Sequence, residues 1–228
     1  VYITMIFISL ASVSAIILAD DFFNFFVFIE VLTVAQAALV IAVKETKSHK
    51  AAFKYMIFGS ISGGSILLGI ALLLGVYGLL NMTDLSNAIR AGGALQPVAL
   101  TAISLITIGW LYESGLFPFH VVKSNMYENA MPEAAALLQL QSKLVLVAMS
   151  IALLRIFSGY TLLKSVMLGF AIFTVVVGSV MALQQTDLRK LLSFVAVGQA
   201  GLVAMGIGLG TSFSISAGIF HAINDVLS

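Results

Sequence analysis

Apolar runs of about twenty residues, each closed by a short polar cluster, recur along the whole chain, and this pattern constrains the fold more than any other feature. A helix needs roughly 20 apolar residues to cross a ~30 Å hydrocarbon core. The runs fall at approximately 1 to 19, 22 to 43, 51 to 80, 97 to 116, 134 to 156, 162 to 183, 190 to 210 and 212 to 228. Hydrophobic residues make up 61% of the chain and charged residues 9%, against about a quarter charged in soluble domains. The expected fold is an all-α, polytopic transmembrane bundle of about eight helices forming one membrane domain. Gly and Ser recur inside the runs, as in Gly59-Ser60-Ile61-Ser62-Gly63-Gly64-Ser65, where small side chains let helices approach closely.

Charge and composition exclude several functions. A net charge of +1 from scattered residues makes no basic stripe, so nucleic acid is not a partner. Without Cys there is no disulfide, thiolate metal site or Cys nucleophile. No phosphate loop, haem ligand pair or flavin site is legible, so no cofactor is expected in this chain. Nor is there a nucleophile and base constellation for an enzyme acting on lipid. The chain begins at Val1 and ends at Ser228 inside an apolar pattern, and it is expected to be a segment of a longer sequence.

Lys and Arg set the expected orientation. One face receives Lys44, Lys47, Lys50, Lys54, Lys123, Arg189 and Lys190; the other receives Arg90, Arg155 and Lys164 beside Asp20, Asp21 and Asp84. The first face is therefore expected in the cytoplasm, with loops 44–50, 117–132 and 184–190. Between 81 and 96 the chain has room for a short surface helix, starting near Thr83-Asp84-Leu85-Ser86.

The fourth run is irregular. It reaches Glu113-Ser114-Gly115-Leu116-Phe117-Pro118-Phe119-His120, where Pro118 lacks an amide donor and Gly115 has low helix propensity. Two readings stand: the helix ends at the cytoplasmic face, or it breaks at membrane depth, where transporters place ion sites.

The ionisable residues inside the runs are the candidate site. Glu30 sits near mid-depth in Phe28-Ile29-Glu30-Val31 and is too short to reach water. Desolvation disfavours its carboxylate and a nearby cation favours it, which is what a proton relay needs; the other reading is a structural Glu hydrogen-bonded to a neighbouring helix. Lys143, far from both ends of its run, is a proton carrier or a static counter-charge. Gln139 lies one turn before it and Gln141 projects elsewhere. His221 shares a face with Asp225 and serves a relay or packing. Glu113 and His120 flank the break; they exchange protons with cytoplasmic water or satisfy the opened backbone. Lys54, Arg155 and Lys164 lie near helix ends and snorkel.

Asn24-Phe25-Phe26-Val27-Phe28-Ile29-Glu30-Val31, Ala52-Phe53-Lys54-Tyr55, Gly78-Leu79-Leu80-Asn81-Met82-Thr83-Asp84-Leu85, Leu116-Phe117-Pro118-Phe119-His120, Thr186-Asp187-Leu188-Arg189-Lys190-Leu191-Leu192 and His221-Ala222 resemble, in order, the antiporter-like subunits. These are shared by Mrp-type sodium/proton antiporters, the membrane arm of complex I and membrane-bound hydrogenases; the chain looks most like the D-type Mrp subunit and its hydrogenase counterpart. The resemblance implies part of a larger antiporter-like fold. It implies a central axis in which a fifth-helix Glu pairs with a seventh-helix Lys and further Lys or His residues follow. Glu30 matches that Glu, the broken run matches the seventh helix, Lys143 lies in the region of the eighth-helix Lys, and the twelfth helix would lie beyond Ser228. The implied partners are other membrane subunits, including related antiporter-like ones, the lipid bilayer, and protons or sodium ions.

Two departures stand out. Glu113 occupies the place where the family usually has Lys, so the expected Glu/Lys pair becomes two acids that repel. The family's Trp- and Asp-containing stretch after the His is replaced by Val121-Val122-Lys123-Ser124-Asn125-Met126-Tyr127. Two functions follow: proton translocation through Glu30, Glu113, His120, Lys143 and His221, or a structural anchor whose relay is broken at Glu113.

Overall fold

The computed structural model describes residues 2–43, 45–92, 97–157 and 159–227. Among them are ten helices: α1 (Tyr2–Leu18), α2 (Phe22–Ile41), α3 (Thr46–Tyr77), α4 (Met82–Ala91), α5 (Pro97–Glu113), α6 (His120–Asn129), α7 (Pro132–Ile156), α8 (Thr161–Leu183), α9 (Leu188–Gly208) and α10 (Ser212–Leu227). Each apolar run has become a helix. α2, α3, α7, α8 and α9 are long and apolar enough to cross a membrane, and α1 and α5 are shorter apolar helices. α5 corresponds to the fourth run of the sequence and α10 to the eighth.

Large apolar side chains such as Phe7, Phe53, Ile61, Phe173 and Phe213 are exposed on the outside of the bundle. In a membrane they face lipid, where backbone groups must be satisfied within each helix. Inside, one apolar cluster runs through Phe25, Ile29, Ile66, Ile106, Trp110, Leu146, Leu153 and Val203. A second gathers around Val40, Tyr55, Tyr112, Tyr127 and Leu138. The candidate site lies against this second cluster.

The two ends of the bundle are polar and distinct. At one, Asp21 accepts from the Asn24 amide to cap α2, Asn81 caps α4 by accepting from Thr83 and Asp84, and Arg155 reaches Asp20 across 3.0 Å. The surface helix thus starts at Met82; its cap is Asn81, and residues 93–96 lie outside the described residues. At the other end, Ser48 donates to the Asn129 carbonyl and Lys190 comes to 4.0 Å from Glu128. That end carries the exposed Lys47, Lys50, Lys54 and Arg189. Lys44 lies outside the described residues.

Two expectations for this end are corrected. The 117–132 stretch is largely α6 rather than a loop, and Lys123, counted above with the end charges, is 2% exposed inside the bundle. The reason is local. α5 stops in a Schellman turn: Gly115, at φ +68, donates to the Tyr112 carbonyl and Leu116 donates to that of Leu111. Phe117, just before Pro118, donates its amide to Thr174 Oγ1 on α8. With the freed backbone satisfied, the chain restarts as α6 and carries Lys123 inward. Glu113, Ser114, Leu116 and His120 around the break are buried, while Pro118 at its centre is exposed.

Candidate functional site

Glu30 lies about 12 Å along α2 from its start, at ~1.5 Å per residue, and faces α3. There Gly63 leaves the space its carboxyl occupies: a Cβ at Gly63 would overlap Glu30 Oε1. One turn earlier, a Cβ at Gly59 would lie 2.9 Å from Thr33 Cγ2 and 3.5 Å from the Tyr112 hydroxyl. Two glycines on one face of α3 thus form a notch holding Glu30 and Thr33 against α5. Glu30 Oε1 and Thr33 Oγ1 are both buried without a hydrogen-bond partner. Buried polar atoms left this way mark sites for water or for a proton.

Glu113 ends α5 with 3% exposure, and its Oε1 also has no partner. It lies within electrostatic reach of both Glu30 and Lys123. The two acids inferred from the sequence act on each other electrostatically, and Lys123 offsets that repulsion at Glu113. Lys123 Nζ donates to the Tyr55 hydroxyl at 3.1 Å and points to Ser142 Oγ at 3.4 Å. It also sits 4.8 Å above the Tyr55 ring. Tyr55 stacks on Tyr112, and Tyr112 donates to the Tyr55 carbonyl.

From Tyr55 a chain of hydrogen bonds leads away through the bundle. Tyr55 donates to Gln36 Oε1 at 2.8 Å, Gln36 to Gln141 Oε1 at 3.2 Å, and Gln141 to Ser9 Oγ at 2.7 Å. Ser9 ends it by donating to the Ile6 carbonyl. Every donor points the same way, so the Tyr55 hydroxyl keeps its lone pairs toward Lys123.

Lys143 is 4% exposed on α7, and its ammonium is ion-paired with Asp225 of α10. The pair lines an open cavity of 310 Å³ together with Gln139, Tyr127 and Arg189. A second cavity of about 10 Å³, room for one water, lies between Lys143 and Lys123 and is bounded by Ser114, Ser142 and Gln139. Gln139 faces the cavities and Gln141 faces the opposite way, as their spacing predicts.

The other expected site residues lie apart. His120 is buried; its ring stacks on Phe117 and its Nε2 lies 3.4 Å from Met181 Sδ of α8. The paired role at the break is thus divided. His221 contacts Gln199 Oε1 at 2.7 Å, while its expected neighbour Asp225 serves Lys143.

The profile described as NADH:quinone oxidoreductase/Mrp antiporter, TM, matches residues 19–228. The chain belongs to this family. An uncharacterised protein of Methanocaldococcus jannaschii is 40% identical over 229 residues, which cover 99% of this chain and 47% of that protein. NADH-quinone oxidoreductase subunit N of Rhodococcus opacus is 30% identical over 214 residues, covering 90% of this chain and 39% of the relative. Among solved structures, a chain of the archaeal membrane-bound sulfane sulfur reductase matches with a TM-score of 0.87 at 29% identity, over 96% of this chain and 45% of that one. A chain of the Mrp complex from Dietzia sp. matches at 0.85 and 23% identity, over 96% and 41%, and speaks to the fold alone. The chain spans less than half the length of each of these relatives.

For this member of the NADH:quinone oxidoreductase/Mrp antiporter family, the sequence reading did not place Lys123, Tyr55 or Tyr112 in the site, and it did not foresee the contact of Asp225 with Lys143. Lys123 was hidden because it follows a Pro and sits among polar residues that read as a loop. A usable signal was present: Gly115 and Pro118 set a break, and a helix restarting after it brings Lys123 back toward Glu113.

Proposed function

We propose that this chain carries protons sideways through the membrane, as part of an antiporter-like subunit in a larger membrane complex. The supporting observation is a row of ionisable groups inside the bundle, the buried Glu113, Lys123 and Lys143 with the partly buried Glu30 and Asp225, joined by Tyr55, Tyr112 and two cavities. Intramembrane charges are costly, and a bundle keeps them where they move or bind ions. Glu113 has Lys123 within electrostatic reach, Asp225 is in direct ion contact with Lys143, and Glu30 acts on Glu113, so a proton moved to one group changes the charge balance at the next.

Several features favour protons over sodium. Two of the carriers are lysines, which as ammonium groups only donate and offer no lone pair to a sodium ion. Among the described residues no three His, Cys, Asp or Glu side chains gather where a metal ion could be held. The entry point is the cavity at Lys143 and Asp225, beside Arg189 at the lysine-rich end of the bundle; the lysine excess assigns that end to the cytoplasm. His120 and His221 contribute at the margins of this row. Relatives named as parts of a quinone oxidoreductase and of an archaeal respiratory complex support a hetero-oligomeric setting, in which partner subunits supply the driving energy. The alternative of a purely structural anchor rested on two uncompensated acids, and Lys123 supplies the compensation.

The test is Glu30→Gln in the full-length subunit within its assembled complex, with proton flux followed in sealed vesicles. Flux should fall by roughly a hundredfold, the scale of losing a positioned proton-transfer group. Unchanged flux at normal assembly would remove Glu30 and this reading with it.

A further inference from the structure

Lys123 has no place in the resemblance, yet it is the most completely enclosed charge of the site, 2% exposed. A buried ammonium is expensive unless it is paired. Its hydrogen-bond partners are two neutral hydroxyls, Tyr55 and Ser142, and the nearest negative charge acting on it is Glu113. Its stem passes the break where Gly115 has no side chain: a Cβ there would lie 2.8 Å from Lys123 Cγ. The backbone of the break thus makes room for this side chain. Beyond its ammonium lies the one-water cavity, with Lys143 on the far wall.

We propose that Lys123, on the second half of the broken helix, is the central cation of the pathway, with Glu113 across the break as its partner and one water linking it to Lys143. This rests on the proton-transfer reading and names the residues that perform its middle step. In that step Lys143 gives a proton to the cavity water and the water gives one to the neutral amine of Lys123, leaving Lys143 as amine and Lys123 as ammonium. Glu113, which acts on Lys123 electrostatically without ion contact, then takes the proton as the two side chains approach; Lys123 returns to the amine and Glu113 becomes neutral. No net proton is made or lost. Tyr55 holds the Lys123 amine in register, and the glutamine chain behind it holds Tyr55. Amide side chains do not readily pass a proton on, so the branch toward Ser9 orients and does not conduct.

The experiment uses the full-length subunit in its assembled complex, with proton flux in sealed vesicles and assembly checked by gel filtration. Lys123→Met should lower flux by roughly a hundredfold. The exchange Glu113→Lys with Lys123→Glu keeps both charges and swaps their places; it should recover flux to within about tenfold of the native protein. Ala196→Val, which fills the one-water cavity, should slow flux with both lysines intact. A Lys123→Met complex that retains native flux while Glu30→Gln is inactive would overturn this proposal and leave the proton-transfer reading standing. If both retain native flux, both fall. If Lys123→Met fails to assemble, the exchange variant decides: an assembled but inactive exchange overturns the proposal, because a mere charge pair would be satisfied by it.

Discussion

Gly115 and Lys123 occupy one space: the missing side chain of the glycine, at φ +68, is where the lysine stem passes, and a Cβ would lie 2.8 Å from Lys123 Cγ. A helix stop and a buried charge are therefore built from the same residues. Gly115→Ala meets two penalties, the left-handed backbone at about 1–2 kcal/mol and the overlap with the lysine at about 1–3 kcal/mol. The variant should melt several degrees lower in detergent and lose proton flux. Native melting with native flux would show that the break tolerates a side chain and does not position Lys123.

Gly63 and Gly64 are adjacent on α3 and should behave differently. A Cβ at Gly63 overlaps the Glu30 carboxyl, whereas one at Gly64 meets nothing within 4 Å. Because the overlapped group is the tip of a flexible side chain, Gly63→Ala should fold, with the carboxyl turned out of its notch. Flux should drop while the melting temperature changes little; Gly64→Ala should alter neither. Equal behaviour of the two variants would mean that the position of the Glu30 carboxyl is immaterial.

The residues that could be read from sequence are those whose burial follows from a regular helix. Glu30 and Lys143 lie deep inside uniform apolar runs, so a rise of ~1.5 Å per residue places them at mid-depth without any tertiary information. Asn81 and Asp21 announce helix starts in the same local way. Lys123 could not be read like this, because its depth depends on the chain turning back inward after Pro118 and on Thr174 of another helix accepting the stray amide. The Lys143–Asp225 contact could not be read for a related reason. Helical spacing puts His221 and Asp225 on one face, but only the packing of α10 against α7 and α9 decides that the aspartate meets Lys143 and the histidine meets Gln199.

Tyr55 is the hinge between Lys123 and the glutamine chain. Tyr55→Phe leaves the Lys123 ammonium short of an acceptor and Gln36 Oε1 short of a donor, both buried. Unsatisfied buried groups cost about 1–3 kcal/mol each, so the variant should be less stable. It should also slow proton flux, because the amine loses its register. Gln36→Leu, which leaves the Tyr55 hydroxyl in place beside Lys123, should keep more flux than Tyr55→Phe. The reverse order would indicate that protons travel along the glutamine branch.

At the opposite end, Arg155 reaches Asp20 at 3.0 Å and Thr83 at 2.7 Å, tying α7 to the α1–α2 turn and to α4. The two charged side chains are 51% and 48% exposed. Exposed pairs are worth about 0–1 kcal/mol, and this one lies away from the pathway. Arg155→Gln should leave flux at the native level and shift melting by no more than a few degrees, a shift that 0.5 M salt reduces in the native protein as well. A strong loss of flux would bring this end of the bundle into the mechanism.

Lys143 and Asp225 make the sharpest stability test, because the buried lysine and the largely enclosed aspartate are in ion contact. Removing one partner of such a pair typically costs about 3–5 kcal/mol, since the remaining charge is stranded, whereas replacing both by apolar groups is often neutral. Asp225→Asn and Lys143→Met should therefore each destabilise the assembled protein, and the double variant should recover much of the loss. Flux should follow a different pattern: Lys143→Met and the double variant should both be inactive, because neither retains an amine at the mouth of the one-water cavity. Stability that returns without activity separates the two duties of Lys143, holding α10 in place and handling the proton. If activity returned with stability in the double variant, Lys143 would be a structural counter-charge, and protons would have to enter at Lys123 by another route.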